Sequence, residues 1–194
     1  MSIEIKDLKK SFEDKKIFDG FSYVFPDKGI FALVGPSGIG KTTLLRTISG
    51  LDLDYTGEII KGRSTFSFAF QEYRLFPELS ALDNVIVPNF DKPTEKQTNI
   101  CKNVLLDFGF RADELSLFPS ELSGGMKQRV SLARAFVNSA DVLLIDEPTK
   151  ELDESNAKKV LERIKSEGNS RLVIIVTHNQ GDIEYLNANC IEFK

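Results

Sequence analysis

"IFALVGPSGIGKTTLLRTISG", residues 30–50, decides how this chain folds. Ile30 to Gly35 form a wholly apolar run closed by glycine, the pattern of a strand buried in a parallel sheet. From Lys41 the spacing turns helical and stops at Gly50. Between them "GPSGIGKT", Gly35–Thr42, fits G-x-x-x-x-G-K-[ST], a phosphate-cradling loop. Its glycines let backbone N–H groups turn inward around phosphate oxygens. Lys41 adds a point charge toward the terminal phosphates, and the Thr42 hydroxyl offers a ligand to Mg2+. The helix N-terminus that follows favours an anion. The plain alternative is a glycine-rich strand-to-helix turn that matches by chance, with strand and helix both in register.

Outward from this unit, strands and helices alternate. "IEIKDLKKSF" and "KIFDGFSYVF" read as strands before it, separated from it by the turn "PDKG", Pro26–Gly29. "EIIKG" and "STFSFAFQ" read as strands after it. In the second, Phe66, Phe68 and Phe70 share one face, taken as core packing. The texture becomes helical over about residues 72–122, with Ser80 and Thr94 as N-caps, and an inserted helical subdomain is expected there. A helix from "LSGGMKQRVSLARAF", the strand "DVLLIDEP", the helix "SNAKKVLERIKSEG", the strand "RLVIIVTH" and the terminal strand "NCIEFK" complete the chain. Strand–helix alternation implies an α/β fold with a parallel sheet and crossover helices. A single domain over residues 1–194 is expected.

Composition narrows the function. The chain has 194 residues, 41% apolar and 28% charged, as in a soluble globular domain. A net charge of −4 argues against binding nucleic acid or anionic lipid through bulk charge. Cys101 and Cys190 have no metal spacing and read as reduced, buried thiols of a cytosolic protein. His178 is the single histidine, so a histidine-based metal site is not expected. The N-terminus lacks the apolar core of a signal peptide, and no apolar run spans a bilayer. Work at a membrane would need a partner to supply the membrane part.

Other residues share the chemistry of the phosphate loop. "VLLIDEP" is an apolar strand ending in two acids. Asp146 is placed to hold Mg2+ through water, and Glu147 to polarise an attacking water; alone, both read equally as solvated acids at a strand exit. His178 ends another apolar strand, where ligands gather in parallel sheets, although a lone histidine is more often a structural hydrogen-bonder. Gln71 ends the Phe-rich strand in the same way. Ser123-Gly124-Gly125 opens a second helix N-terminus able to hold an anion, or to serve as an ordinary N-cap.

In order along the chain these motifs resemble the nucleotide-binding subunits of ABC transporters, over essentially the whole length. The set is "GPSGIGKTT" (Gly35, Pro36, Ser37, Gly38, Ile39, Gly40, Lys41, Thr42, Thr43), Gln71 in "FAFQEYRLFP", "LSGGMKQR", "LLIDEP", Leu152-Asp153 and His178. The resemblance implies a P-loop NTPase (RecA-like) parallel core, with an antiparallel β subdomain and the inserted α-helical subdomain. It implies ATP and Mg2+, with Thr42, Gln71 and Asp146 toward the metal. Glu147 becomes the general base and His178 the γ-phosphate sensor. Two subunits, identical or paralogous, would pair head to tail, so that Ser123, Gly124 and Gly125 act on the partner's ATP and Asp153 makes a cross-dimer contact. Phe12 takes the place of the aromatic that stacks on adenine. The segment at Asp153 departs from the usual Ser-Ala-Leu-Asp: Lys150-Glu151 puts two charges where small residues are common.

The resemblance further implies a membrane permease partner, a solute-binding protein, and a cytoplasmic position on the inner face of the cell membrane. No C-terminal regulatory module is expected after His178. "QEYRLFPELSALDNV" is most similar to importers of the nitrate, sulfonate and taurine group. Tyr73, Leu75 and Phe76 there offer an apolar patch for the permease, or pack within the helical subdomain. A non-import ATPase of lipoprotein release, cell division or iron–sulfur assembly would carry the same motifs. DNA-repair and translation relatives need insertions or tandem domains for which the chain has no room. A binding module with dead motifs is opposed by intact Lys41, Asp146, Glu147 and His178.

Overall fold

The computed structural model describes residues 2–13 and 15–193. Two sheets face each other. The smaller is antiparallel, from β1 (Ile3–Phe12), β2 (Lys15–Phe25) and β4 (Thr56–Ile60), in the order β2-β1-β4. The larger is parallel, from β3 (Gly29–Val34), β5 (Phe66–Ala69), β6 (Val142–Asp146), β7 (Leu172–Val176) and β8 (Asn189–Glu192), in the order β5-β6-β7-β3-β8. Every residue of β6 and β7 is buried, which explains why both read as unbroken apolar runs rather than alternating ones.

The parallel sheet has a core on each face. Toward the antiparallel sheet, Leu33, Leu144, Ile174 and Val176 pack with Ile3, Ile5 and Phe25. They also pack with Leu44, Leu45 and Ile48 of α1 (Lys41–Ser49). On the other face Leu143, Ile145, Val173 and Ile175 pack against the remaining helices. These are α2 (Ala81–Ile86), α3 (Glu95–Asp107), α4 (Gly124–Val137), α5 (Glu154–Glu167) and α6 (Gln180–Leu186). The result is a mixed α/β fold of the P-loop NTPase type.

Local chemistry fixes the helix ends. Ser80 accepts a hydrogen bond from Asp83 N at the start of α2, and Thr94 and Gln97 form a reciprocal capping box at α3. Residues 72–122 hold α2, α3 and two short 3-10 turns, Ala112–Ser116 and Pro119–Glu121. Phe108 meets Phe136 of α4 edge to face, with centroids 5.3 Å apart, so α4 ties these helices to the sheet.

As expected, Phe66 and Phe68 of the stripe pack, half-buried, against the core between the two sheets, while Ser67 and Ala69 are buried on the other face of β5, where Ser67 Oγ donates to Ala135 O. One expectation changes. Cys101 is buried but Cys190 is exposed, because β8 is the opposite edge and only Ile191 turns inward from it. After β7 and His178, α6 occupies a stretch to which the sequence reading assigns no element; its N-cap is Asn179, which accepts from Gly181 N. No helix among the described residues is long and apolar enough to cross a membrane.

Leu144 is fully buried at the centre of β6, whereas Val24 is 57% exposed. Leu144→Ala should lower the unfolding free energy by about 3 kcal/mol in urea titration, through lost burial and a residual cavity. Val24→Ala should stay within about 0.5 kcal/mol.

Candidate functional site

Because the strands are parallel, their carboxyl ends deliver four segments to one edge. β3 feeds the phosphate loop, β6 ends in Asp146 and Glu147, β7 leads to His178, and β5 leads to Gln71. These residues line one cleft of about 340 Å³. Ser37, Gly38, Gly40, Lys41, Thr42 and Thr43 form its floor. Gln71, Asp146, Glu147 and His178 stand on one side, and Phe12 and Lys15 on the other.

The loop is closed on its lysine. Lys41 Nζ donates to Gly35 O at 2.8 Å and to Pro36 O at 2.9 Å. Burial pushes the Lys41 ammonium below its usual value, opposed by the charges of Glu147 and Asp146. Gly40 caps α1 with φ 113°, and a Cβ there would collide with Ile17 Cγ2, so the position requires glycine twice over. Thr42 Oγ1 donates to Asp146 Oδ2 at 2.7 Å, joining the start of α1 to the end of β6. Burial pushes the Asp146 carboxyl up, and the Thr42 hydrogen bond and Lys41 pull it back.

Glu147 sits beyond the strand in a left-handed backbone conformation, φ 56°. Three hydrogen bonds hold it there. Its N–H donates to Val176 O at 2.9 Å, and its carbonyl accepts from Gln128 Nε2 at 3.1 Å and from Lys150 N at 3.3 Å. This conformation turns the carboxylate into the cleft, where Oε1 lies 3.5 Å from His178 Nε2. An acid, a half-exposed imidazole and a hydroxyl–carboxylate pair thus surround the space above the phosphate loop. The oxygens of Thr42 and Asp146 fit a hard divalent cation that keeps water and phosphate ligands, as Mg2+ does. No group of three or more His, Cys, Asp or Glu side chains among the described residues forms a full protein cage for a metal.

The structure leaves part of the expected set outside the cleft. Ser123, Gly124, Gly125 and Asp153 do not line it. Ser123 caps α4 by accepting from Met126 N, and Glu151 lies against both glycines. Asp153 caps α5, and hydrogen bonds from Asn156 hold its carboxyl below the usual range. Phe12 is half-exposed at the cleft mouth, with Lys10 Nζ 4.7 Å from its ring centroid. Of the docking patch, Phe76 is exposed and Leu75 packs on the helical core. The Tyr73 hydroxyl bonds Glu151, which pushes its pKa to about 12.

Two residues had no motif to reveal them. Lys15 Nζ reaches Gly38 O at 3.2 Å, bringing a second cation to the loop from β2. Gln128 lies inside "LSGGMKQR" but acts on Glu147, a pairing visible only once α4 is folded across β6.

Comparison with known proteins agrees with this geometry. The ABC transporter family profile matches residues 18–150. The sulfate/thiosulfate import ATP-binding protein CysA of Salmonella typhi is 37% identical over 93% of this chain and 54% of its own length. The spermidine/putrescine import ATP-binding protein PotA of Thermotoga maritima is 34% identical over 93% of this chain and 52% of its own. The chain therefore spans about half the length of the curated relatives it matches. Among solved structures, a post-hydrolysis dimer of the ATP-binding cassette MJ0796 bound to ADP and Pi superposes with a TM-score of 0.86 at 25% identity. That match covers 99% of this chain and 94% of the other. A loop closed on Lys41, acids at the end of β6, a serine–glycine turn on α4 and these matches have one common source: the chain belongs to the ABC transporter family.

Proposed function

We propose that the chain binds and hydrolyses ATP as the energy-supplying subunit of an ABC importer. The observation that carries this is the Thr42–Asp146 hydrogen bond beneath a loop closed on Lys41, with Glu147 and His178 above it. In this reading Phe12 stacks on adenine, and the N–H groups of the loop, with Lys41, hold the phosphates. Thr42, Asp146 and Gln71 would hold Mg2+, which neutralises phosphate charge when bound. Glu147 takes a proton from water as the water oxygen attacks the γ-phosphorus and the bond to ADP breaks. The proton rests on the Glu147 carboxylate, and His178 contacts the γ-phosphate. Substituting Glu147→Gln removes the acceptor and leaves the cleft intact. Steady-state phosphate release should fall by at least ~100-fold while ATP binding persists.

Ser123, Gly124 and Gly125 lie outside their own chain's cleft, which supports a head-to-tail pair in which each turn caps the other subunit's ATP. The MJ0796 cassette, dimeric with ADP and Pi bound, supports pairing of two subunits. Asp153 then lies at the dimer seam. Ser123→Arg should leave ATP binding by the single subunit within about twofold, because the turn is remote from the cleft. It should abolish ATP-dependent dimerisation and hydrolysis by filling the anion position; equilibrium binding of a fluorescent ATP analogue beside sedimentation velocity checks both.

The importer role is taken from relatives named for sulfate/thiosulfate and spermidine/putrescine import. A membrane permease, with a solute-binding protein, would be the partner at the inner face of the membrane. The half-exposed Phe76 and the segment after Gln71 form the contact. The sequence of that segment favours a small-anion cargo of nitrate, sulfonate or taurine type. The named relatives carry sulfate/thiosulfate or polyamines instead.

A further inference from the structure

Glu151 carries a negative charge two residues before Asp153, and its placement gives it a task. Its backbone is left-handed, φ 64°, which folds it back over the start of α4. A Cβ at Gly124 would lie 2.5 Å from Glu151 Oε2, and one at Gly125 would lie 2.9 Å from the Glu151 carbonyl oxygen. A carboxylate of the chain itself therefore presses on the glycine turn at the positive end of a 14-residue helix. Tyr73 keeps it there through a short hydrogen bond from its hydroxyl to Oε2. Tyr73 is itself fixed from α4: Arg134 donates to Tyr73 O and to Arg74 O, both at 2.9 Å. Phe76, exposed to solvent, lies three residues further along the same segment.

We propose that Tyr73 and Glu151 are a positioning pair that sets when the N-terminus of α4 accepts the partner subunit's γ-phosphate. The proposal rests on the dimer reading above. A γ-phosphate approaching Ser123-Gly124-Gly125 meets a like charge that, though exposed to solvent, is tethered over the turn by the Tyr73 hydroxyl. Loss of that tether, when the segment after Gln71 shifts, lets the carboxylate leave the turn, and the helix N-terminus is open to the phosphate. Docking at Phe76 is in this way converted into affinity between subunits.

The test uses Glu147→Gln as parent, since it retains ATP, with dimerisation followed by sedimentation velocity during ATP titration. Glu151→Gln keeps the shape and the link to Tyr73 but removes the charge. It should lower the half-saturating ATP concentration about fivefold at ~10 mM salt and lose that advantage at ~1 M salt, where charges are screened. Tyr73→Phe removes only the tether and should shift the titration the same way by a smaller factor. The double variant should match Glu151→Gln alone. A half-saturating concentration that is unchanged or raised in either variant, or a Glu151→Gln gain equal at both salts, overturns the proposal. A parent that never dimerises with ATP overturns the dimer reading and this pair with it. A parent that dimerises while both variants track it overturns the pair alone.

Discussion

Two opposite charges are buried beside one loop, and the architecture follows from keeping them there. Lys41 is 5% exposed and Asp146 2%. Burying either alone would cost several kcal/mol. Each is satisfied by neighbours that exist only if the fold is right: Lys41 by the carbonyls of Gly35 and Pro36, Asp146 by the Thr42 hydroxyl. Those partners sit at the end of β3, the start of α1 and the end of β6. The register of these three elements is therefore fixed by polar satisfaction as well as by the apolar core beneath them. The loop is also held ready for its anion. In the proposed function an incoming phosphate would take over a lysine whose present partners are backbone carbonyls.

The antiparallel sheet completes the site from the other side. Its inner face, Ile3, Ile5, Leu8 and Phe25, packs on the parallel sheet and α1 and holds the two sheets together. That packing carries Phe12 and Lys15, the ends of β1 and β2, to the mouth of the cleft. Lys10 holds the Phe12 ring from within the sheet, its own charge satisfied by Asp52 and the carbonyl of Asp54. An exposed aromatic is thereby kept in place without being buried, as stacking on a ligand ring requires.

Much of this was legible in the sequence because the phosphate loop, the acids after β6 and His178 each end an apolar run. A buried parallel strand is among the clearest sequence signals, and its carboxyl end is where ligands gather. Ser80 and Thr94 were legible as caps for a similarly local reason. What the sequence did not show depends on edges and on long-range closure. The thiol of Cys190 is more exposed than expected because β8 is a border of the sheet, and strand order is not written in any single segment. Helix α6 is short and capped by an asparagine that reads equally as a turn. Lys15 and Gln128 reach the site across 23 and 19 residues, with no spacing rule to mark them.

Helix α4 is the element on which these strands of argument meet. At its first turn Ser123-Gly124-Gly125 faces away from its own cleft, toward the proposed partner's nucleotide. One turn later Gln128 holds the carbonyl of Glu147, and Arg129 bonds Gly125 O, Phe108 O and Asn156 Oδ1. Asn156 in turn bonds both oxygens of Asp153. One helix thus holds both the glycine turn and, through Gln128, the residue proposed as general base. Arg129 and Asn156 tie the same turn to Asp153. Arg129 is 7% exposed and burial pushes its guanidinium below the usual value, so it has little water to fall back on if these contacts are broken. In the proposed dimer each α4 would therefore carry two tasks on one rigid element: the turn offered to the other subunit's nucleotide at its tip, and the glutamine that holds its own chain's acid on its flank.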